Sequence, residues 1–384
     1  DSRTYAEYHN MSIPGGISVP GGELAYRVRD YVPNGKTTVV VNCAGRTRSI
    51  VGAQSVINSG IPNRVVALEN GTMGWHLAGL HLEHGRDDRY TSGDPATFQA
   101  TESMRERVAQ EYGVPKVDHH TLDTWRMESE VRTLYLLDVR DPDEFEGGHL
   151  AGSRSAPGGQ LVQATDFQIG VAQGRIVLID DNGVRATMAA HWLVQMGFRD
   201  VYVVEGGISG RDDLETGTEI ISPHSTGPEV SPSQLAARQG HDDLLVLDLG
   251  ESRVYRKAHI PGAKWAIRTR IAQAVSDLSD KGLVVLTSAD ASLAHLAVAE
   301  VAALTSAEVL VLSGGTDAWL VEGHPSESSS TVPDDDACVD VYLRAYDRNT
   351  DVEARMQEYI DWEIALIEQI AKDPDVRFRL GPAN

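Results

Sequence analysis

The stretch Val39-Val40-Val41-Asn42-Cys43-Ala44-Gly45-Arg46-Thr47-Arg48-Ser49 is an apolar β-branched run that ends on a cysteine and passes through a short Gly/Arg loop. A thiol attacks as its thiolate, a form favoured at helix N-termini and beside Arg or Lys. Cys43 has both. The segment Ile50 to Ile57 has helix-compatible apolar spacing, so the N–H groups of its first turn and of the loop Ala44–Arg48 point back at the sulfur as an anion cradle. Arg46 and Arg48 add planar cationic forks suited to an oxyanion such as a sulfonate. The chemistry implied is thiolate attack on an anionic substrate. A lone cysteine at a strand end is more often a buried small hydrophobe; two arginines in the following turn favour the reactive reading.

The elements that position this loop recur along the chain. Three copies share one pattern: Asp1, Glu7-Tyr8, Ser12-Ile13-Pro14-Gly15; then Asp138, Glu144-Phe145, His149-Leu150-Ala151-Gly152; then Asp248, Tyr255, His259-Ile260-Pro261-Gly262. The opening Asp lies eleven residues before the Ser/His position in each copy. A strand-like run follows each time (Val39–Val41, Ile176–Ile179, Leu283–Leu286) and leads to Cys43, Asp180 or Ser288. A third run ends in a turn at Asn70-Gly71, Gly206-Gly207 or Gly314-Gly315. Short continuous apolar strands alternating with helical segments predict an α/β fold, each copy a parallel sheet covered on both faces. Such sheets bind ligands at the carboxyl ends of their strands, where Cys43 stands.

Copies two and three carry upstream helix starts, at Val117/Leu122 and at Ser231-Pro232 as N-cap and N1, that copy one lacks; the expectation is that the chain is the C-terminal part of a longer one. Thr101 to Tyr112 reads as a connector helix, and Thr216 to Gly227 as a Pro/Ser/Gly linker. Beyond Pro325, a Ser-rich and acidic run (Asp334-Asp335-Asp336) reads as mobile. Thr350 and Glu353 form a capping-box pattern ahead of an apolar stripe, Val352, Met356, Tyr359, Ile360, Leu366, Ile367 and Ile370, that stops before Pro374. This C-terminal helix is expected to dock on a neighbouring domain or to make a homodimer.

Among 384 residues, 56 acidic against 34 basic side chains give a formal charge of −22, which argues against nucleic acid or an anionic membrane as partner. Two cysteines in unlike contexts, Cys43 and Cys338, argue against a disulfide framework or a zinc site, and fit a reducing, cytoplasmic setting. No apolar run reaches transmembrane length.

The Asp-x-Arg, Glu-Tyr, His-Ile-Pro-Gly, cysteine-loop and final Gly-Gly-x-x-x-Trp signatures resemble the rhodanese (thiosulfate sulfurtransferase) family, arranged like bacterial tandem rhodanese-domain proteins. The resemblance implies a rhodanese domain over 1–86, a helical connector over 87–114, rhodanese-like domains over 115–217 and 226–325, and an acidic linker with a helix over 326–384. It further implies that Cys43 takes sulfane sulfur from thiosulfate or a similar small anionic donor, becomes a persulfide, and passes the sulfur to cyanide or a thiol, without a cofactor or metal. Arg48 and Arg46 would bind the donor's sulfonate, and the N–H groups of Ala44, Gly45, Arg46, Thr47 and Arg48 the sulfur anion. Cys43 to Arg48 is C-x4-R, shorter than the C-x5-R of related phosphatase domains. Asp180 and Ser288 at the cysteine position imply inactive second and third copies, with Arg185 kept and Leu293 replacing the loop arginine. A persulfide carrier that docks another protein is the alternative.

Overall fold

A computed structural model describes residues 1–90, 95–217, 227–275, 282–374, 378, 379 and 381. The chain divides into two compact units, one of residues 1–219 with 356–384 and one of residues 220–355.

The second copy shows how the sequence builds the unit. Its five strands are all parallel, in the order Lys116–Val117, Val201–Val204, Arg175–Ile179, Leu134–Asp138, Arg154–Ser155. Successive residues of a strand point to opposite faces, so an unbroken apolar run supplies both. Ile176 and Leu178 join the core cluster that contains Leu193 of the helix Val184–Gln195, while Val177 and Ile179 join the cluster around Leu122. The third copy repeats the plan with Lys264–Trp265, Leu244–Asp248, Leu283–Thr287, Glu308–Leu312 and Glu229–Val230, and its central strand again splits between two clusters. Ser231 caps its first helix in a capping box with Gln234, with Pro232 at N1. In the first copy Val39–Val41 pairs in parallel with Val65–Ala67, over a core that includes Leu24, Val28, Val41, Ala53 and Val56.

Two segments pack against a copy in ways the sequence pattern does not specify. The connector helix runs from Pro95 to Tyr112, and Met104, Val108 and Tyr112 are part of the second copy's core cluster. It is a layer of that copy, because its apolar stripe has Val184, Ala186 and Ala190 to cover. The acidic run after Pro325 is tied down: Arg256 donates to the Pro333 carbonyl at 2.6 Å and pairs with Asp335 at 2.9 Å. Burial pushes the Asp335 carboxyl up, but the Asn349 N–H and Arg256 outweigh it and hold it below its usual range. Val117 lies on a strand just before the helix His119–Met127. Residues 218–226 of the expected linker lie outside the described residues.

Copies one and two meet at glycines in corresponding positions. A Cβ on Gly22 would stand 2.8 Å from the Gly159 nitrogen, and one on Gly159 would stand 2.9 Å from the Gly22 nitrogen. Copy three carries Arg268 and Thr269 there, side chains that such a seam would not admit. Across the same seam Asn58 donates to Nε2 of His191 at 3.1 Å, while His191 Nδ1–H donates to the Met188 carbonyl at 2.6 Å. These partners fix one neutral tautomer. Burial lowers the His191 pKa to about 4, against the pull of the Met188 carbonyl. Among the described residues no helix is long and apolar enough to cross a membrane.

Candidate active site

Cys43 follows its strand by two residues and is 2% exposed. Its carbonyl accepts from the Thr72 N–H at 2.9 Å, and the Ala44 carbonyl from the Met73 N–H at 2.9 Å. This clamp needs glycine at the head of the next helix: Gly71 has φ +53°, and a Cβ there would stand 2.2 Å from the Cys43 oxygen. The device recurs at Gly207 against the Asp180 carbonyl and at Gly315 against the Ser288 carbonyl. One geometry therefore holds the residue at the sheet's carboxyl edge in every copy, whatever its side chain.

Arg48 is held by a carboxylate of its own copy. Its guanidinium makes a two-pronged pair with Glu7, at 2.7 and 2.9 Å. Arg185 holds Glu144 in the same way in copy two, at 2.6 and 3.1 Å, although that copy has no cysteine. The Glu–Arg pair is therefore part of the scaffold, fixing the helix after the loop to the helix after the opening Asp. Copy three has Val254 and Leu293 at these positions, so the two charges vanish together. This correlation is visible within the chain itself. Asp1 and Arg3 pair at 2.7 Å, as Asp138 and Arg140 do.

Arg46 stays at the rim, its guanidinium donating to Asn70 Oδ1 at 3.2 Å. Its N–H points elsewhere, donating to Glu363 Oε2 at 2.7 Å, while the Thr47 N–H and hydroxyl donate to Glu363 Oε1 at 3.1 and 2.7 Å. Glu363 lies on the C-terminal helix Val352–Lys372 and is 8% exposed. Its carboxylate lies so close over Gly45 that a Cβ there would be 2.2 Å from Oε2. The Cys43 thiol donates to Ser49 Oγ at 3.5 Å, and that hydroxyl donates to the Arg46 carbonyl at 2.8 Å. Ala186 and Ala294 stand at the matching positions in the other copies, so the hydroxyl accompanies the cysteine.

Copy two displays what its loop binds. The Asp180 carboxylate accepts from the N–H groups of Asn182 at 3.1 Å, Gly183, Arg185 at 2.6 Å and Ala186 at 3.1 Å. Burial raises the Asp180 pKa against the pull of Arg185 and these N–H groups. Arg185 is charged in spite of its burial because Glu23 and Glu144 outweigh desolvation. Copy three is sparser: Ser288 Oγ accepts from the Ala294 N–H at 3.3 Å.

The sequence profile of the rhodanese-like domain matches residues 1–78, 120–211 and 231–322. A crystal structure of thiosulfate sulfurtransferase from Pseudomonas aeruginosa is similar over 99% of this chain and 72% of its own, with 45% identity and a TM-score of 0.88. The protein YqhL of Bacillus subtilis (strain 168) is 40% identical over 76 residues, which are 20% of this chain and 59% of that protein. The thiosulfate sulfurtransferase GlpE of Pseudoalteromonas translucida (strain TAC 125) is 29% identical over 77 residues, 19% of this chain and 69% of its own length.

Proposed function

The chain belongs to the rhodanese family, and from that premise we propose that it is a sulfurtransferase whose nucleophile and persulfide carrier is Cys43. The Cys43 thiolate attacks the outer sulfur of thiosulfate; a new S–S bond forms at Sγ, the donor's S–S bond breaks, and sulfite leaves with the electron pair. Cyanide or a thiolate then attacks the persulfide's outer sulfur. The bond to Sγ breaks, its electron pair restores the Cys43 thiolate, and thiocyanate or a new persulfide departs. No outside oxidant or reductant is required.

One observation carries this reading: the same loop holds a carboxylate on backbone N–H groups in copy two and again, from outside, in copy one. An Asp side chain places its oxygens as many bonds from Cβ as a cysteine persulfide places its outer sulfur. The Asp180 carboxylate therefore stands in for a persulfide anion. Its donors correspond to the N–H groups of Gly45, Arg48 and Ser49, each contributing on the order of 3 kcal/mol if aimed at charge that develops in reaction, and to that of Arg46, which here serves the mouth instead. Ser49 can turn its hydroxyl from the Arg46 carbonyl onto the anionic sulfur, which puts it in contact with the reacting atom. Ala44 contributes through its carbonyl, tied to Met73.

The test is thiocyanate formation from thiosulfate and cyanide. Cys43→Ser should lower the rate at least about a thousandfold, and an equal rate in the variant would sink the assignment. A second reading, a carrier that loads sulfur and releases it to a protein acceptor, draws on the near-complete burial of Cys43; it predicts stoichiometric loading with slow turnover on cyanide.

A further inference from the structure

The contact of Glu363 with the loop goes beyond that reading while resting on it. Glu363 is the third member of a stripe at helical spacing, after Met356 and Ile360, both of them buried. The stripe continues to Ile367 and Ile370, which are 77% and 42% exposed. The docked face of the helix thus finishes at the Cys43 loop, and a carboxylate takes the place where the apolar pattern would put another Leu or Ile. A buried carboxylate needs full hydrogen bonding, and two N–H groups, the Thr47 hydroxyl and, at 3.5 Å, the Tyr359 hydroxyl supply it. These donors at the mouth are the ones a sulfonate arriving for attack by Cys43 would use, since its tetrahedral oxygens accept in the same directions as a carboxylate's. Close approach over Gly45 leaves no room for both anions. Like charges in contact would repel besides.

We propose that Glu363 is a built-in competitor for the donor: the C-terminal helix holds the Cys43 loop shut by placing a carboxylate in its anion site, and a sulfonate or other small oxyanion enters by displacing it. Donor affinity is then the intrinsic affinity of the loop reduced by the fraction of molecules whose helix is undocked. Gln in place of Glu363 can accept from only one of the two backbone N–H groups while presenting an NH2 to the other, so it weakens the dock without opening a cavity. Asp in place of Ile360 loosens the helix one turn away and leaves the loop's own groups in place.

The experiment uses the full chain. Amide hydrogen exchange across residues 356–372 is measured with and without sodium sulfate at matched ionic strength, and KM for thiosulfate is measured in the parent, Glu363→Gln and Ile360→Asp. Sulfate should speed exchange of the parent helix, both variants should exchange faster without sulfate, and both should lower KM by about three- to tenfold. Helix exchange that ignores sulfate, or a KM unchanged or raised in both variants, overturns the proposal even if turnover is robust. Sulfate-dependent exchange in a chain that forms no thiocyanate would uphold the competitor and refute the thiosulfate reading instead.

Discussion

The loops of copies one and two are the same backbone device with two different occupants. In copy two the anion belongs to the loop, since Asp180 reaches its four N–H donors through its own side chain. In copy one the thiol ends one bond nearer Cβ than the Asp180 oxygens do, and the mouth is filled by Glu363 from 317 residues away along the chain. An occupant fixed by two bonds cannot leave, whereas one carried on a helix leaves when the helix does. The difference separates a module that uses the cradle to hold itself together from one that keeps it exchangeable. Copy three marks the end of that series, with one long N–H contact to Ser288 and neither member of the Glu–Arg pair.

The largest effect expected of breaking the comparison falls on copy two. Asp180→Ala leaves four backbone N–H donors without their carboxylate, and should cost about 3–5 kcal/mol, read as a lower urea midpoint. Ser288→Ala should cost about 1 kcal/mol or less; equal losses at the two sites would show that the carboxylate does not organise its loop. The seam that joins the two copies comes next. His191 titrates near 4 in the fold and near 6.5 in the unfolded chain, so the unfolded state binds the extra proton between those values. Its contribution is complete above about pH 6.5 and is lost as pH falls through 4, amounting to about 2 kcal/mol by pH 5. Urea midpoints of the parent should drop between pH 7 and about 5, and those of His191→Gln should drop less; parallel lines would contradict a neutral buried His191. The smallest effect is at the residue that accompanies the cysteine. Ser49→Ala should reduce kcat by about tenfold with little change in KM, as expected for one hydrogen bond made to charge that develops on sulfur. A change in KM alone would place Ser49 in donor binding.

The three copies and their strands were legible because a buried parallel strand must be apolar at every position, and because the Gly71, Gly207 and Gly315 turns recur at matched places. The cysteine loop was legible for the same reason. A cation beside a cysteine suggests anion binding; that Arg48 also pairs with a carboxylate 41 residues earlier is visible in the sequence only through the contrast with Val254 and Leu293. Glu363 was not legible. It stands among apolar residues of a helix whose stripe gives a face but no partner, and no local pattern connects an acid at the end of the chain with a loop near its start. Where the connector helix packs was not legible, because the residues that cover it, around Val184 and Ala190, follow it by some eighty positions.

The most direct test of the central claim is the intact mass of the protein after incubation with thiosulfate and removal of excess donor, compared with Cys43→Ser treated alike. The parent should gain the mass of one sulfur atom and lose it on addition of cyanide, and Cys43→Ser should gain none. A folded parent that gains no sulfur, or a Cys43→Ser variant that gains as much, would contradict the assignment of Cys43 as the sulfur carrier.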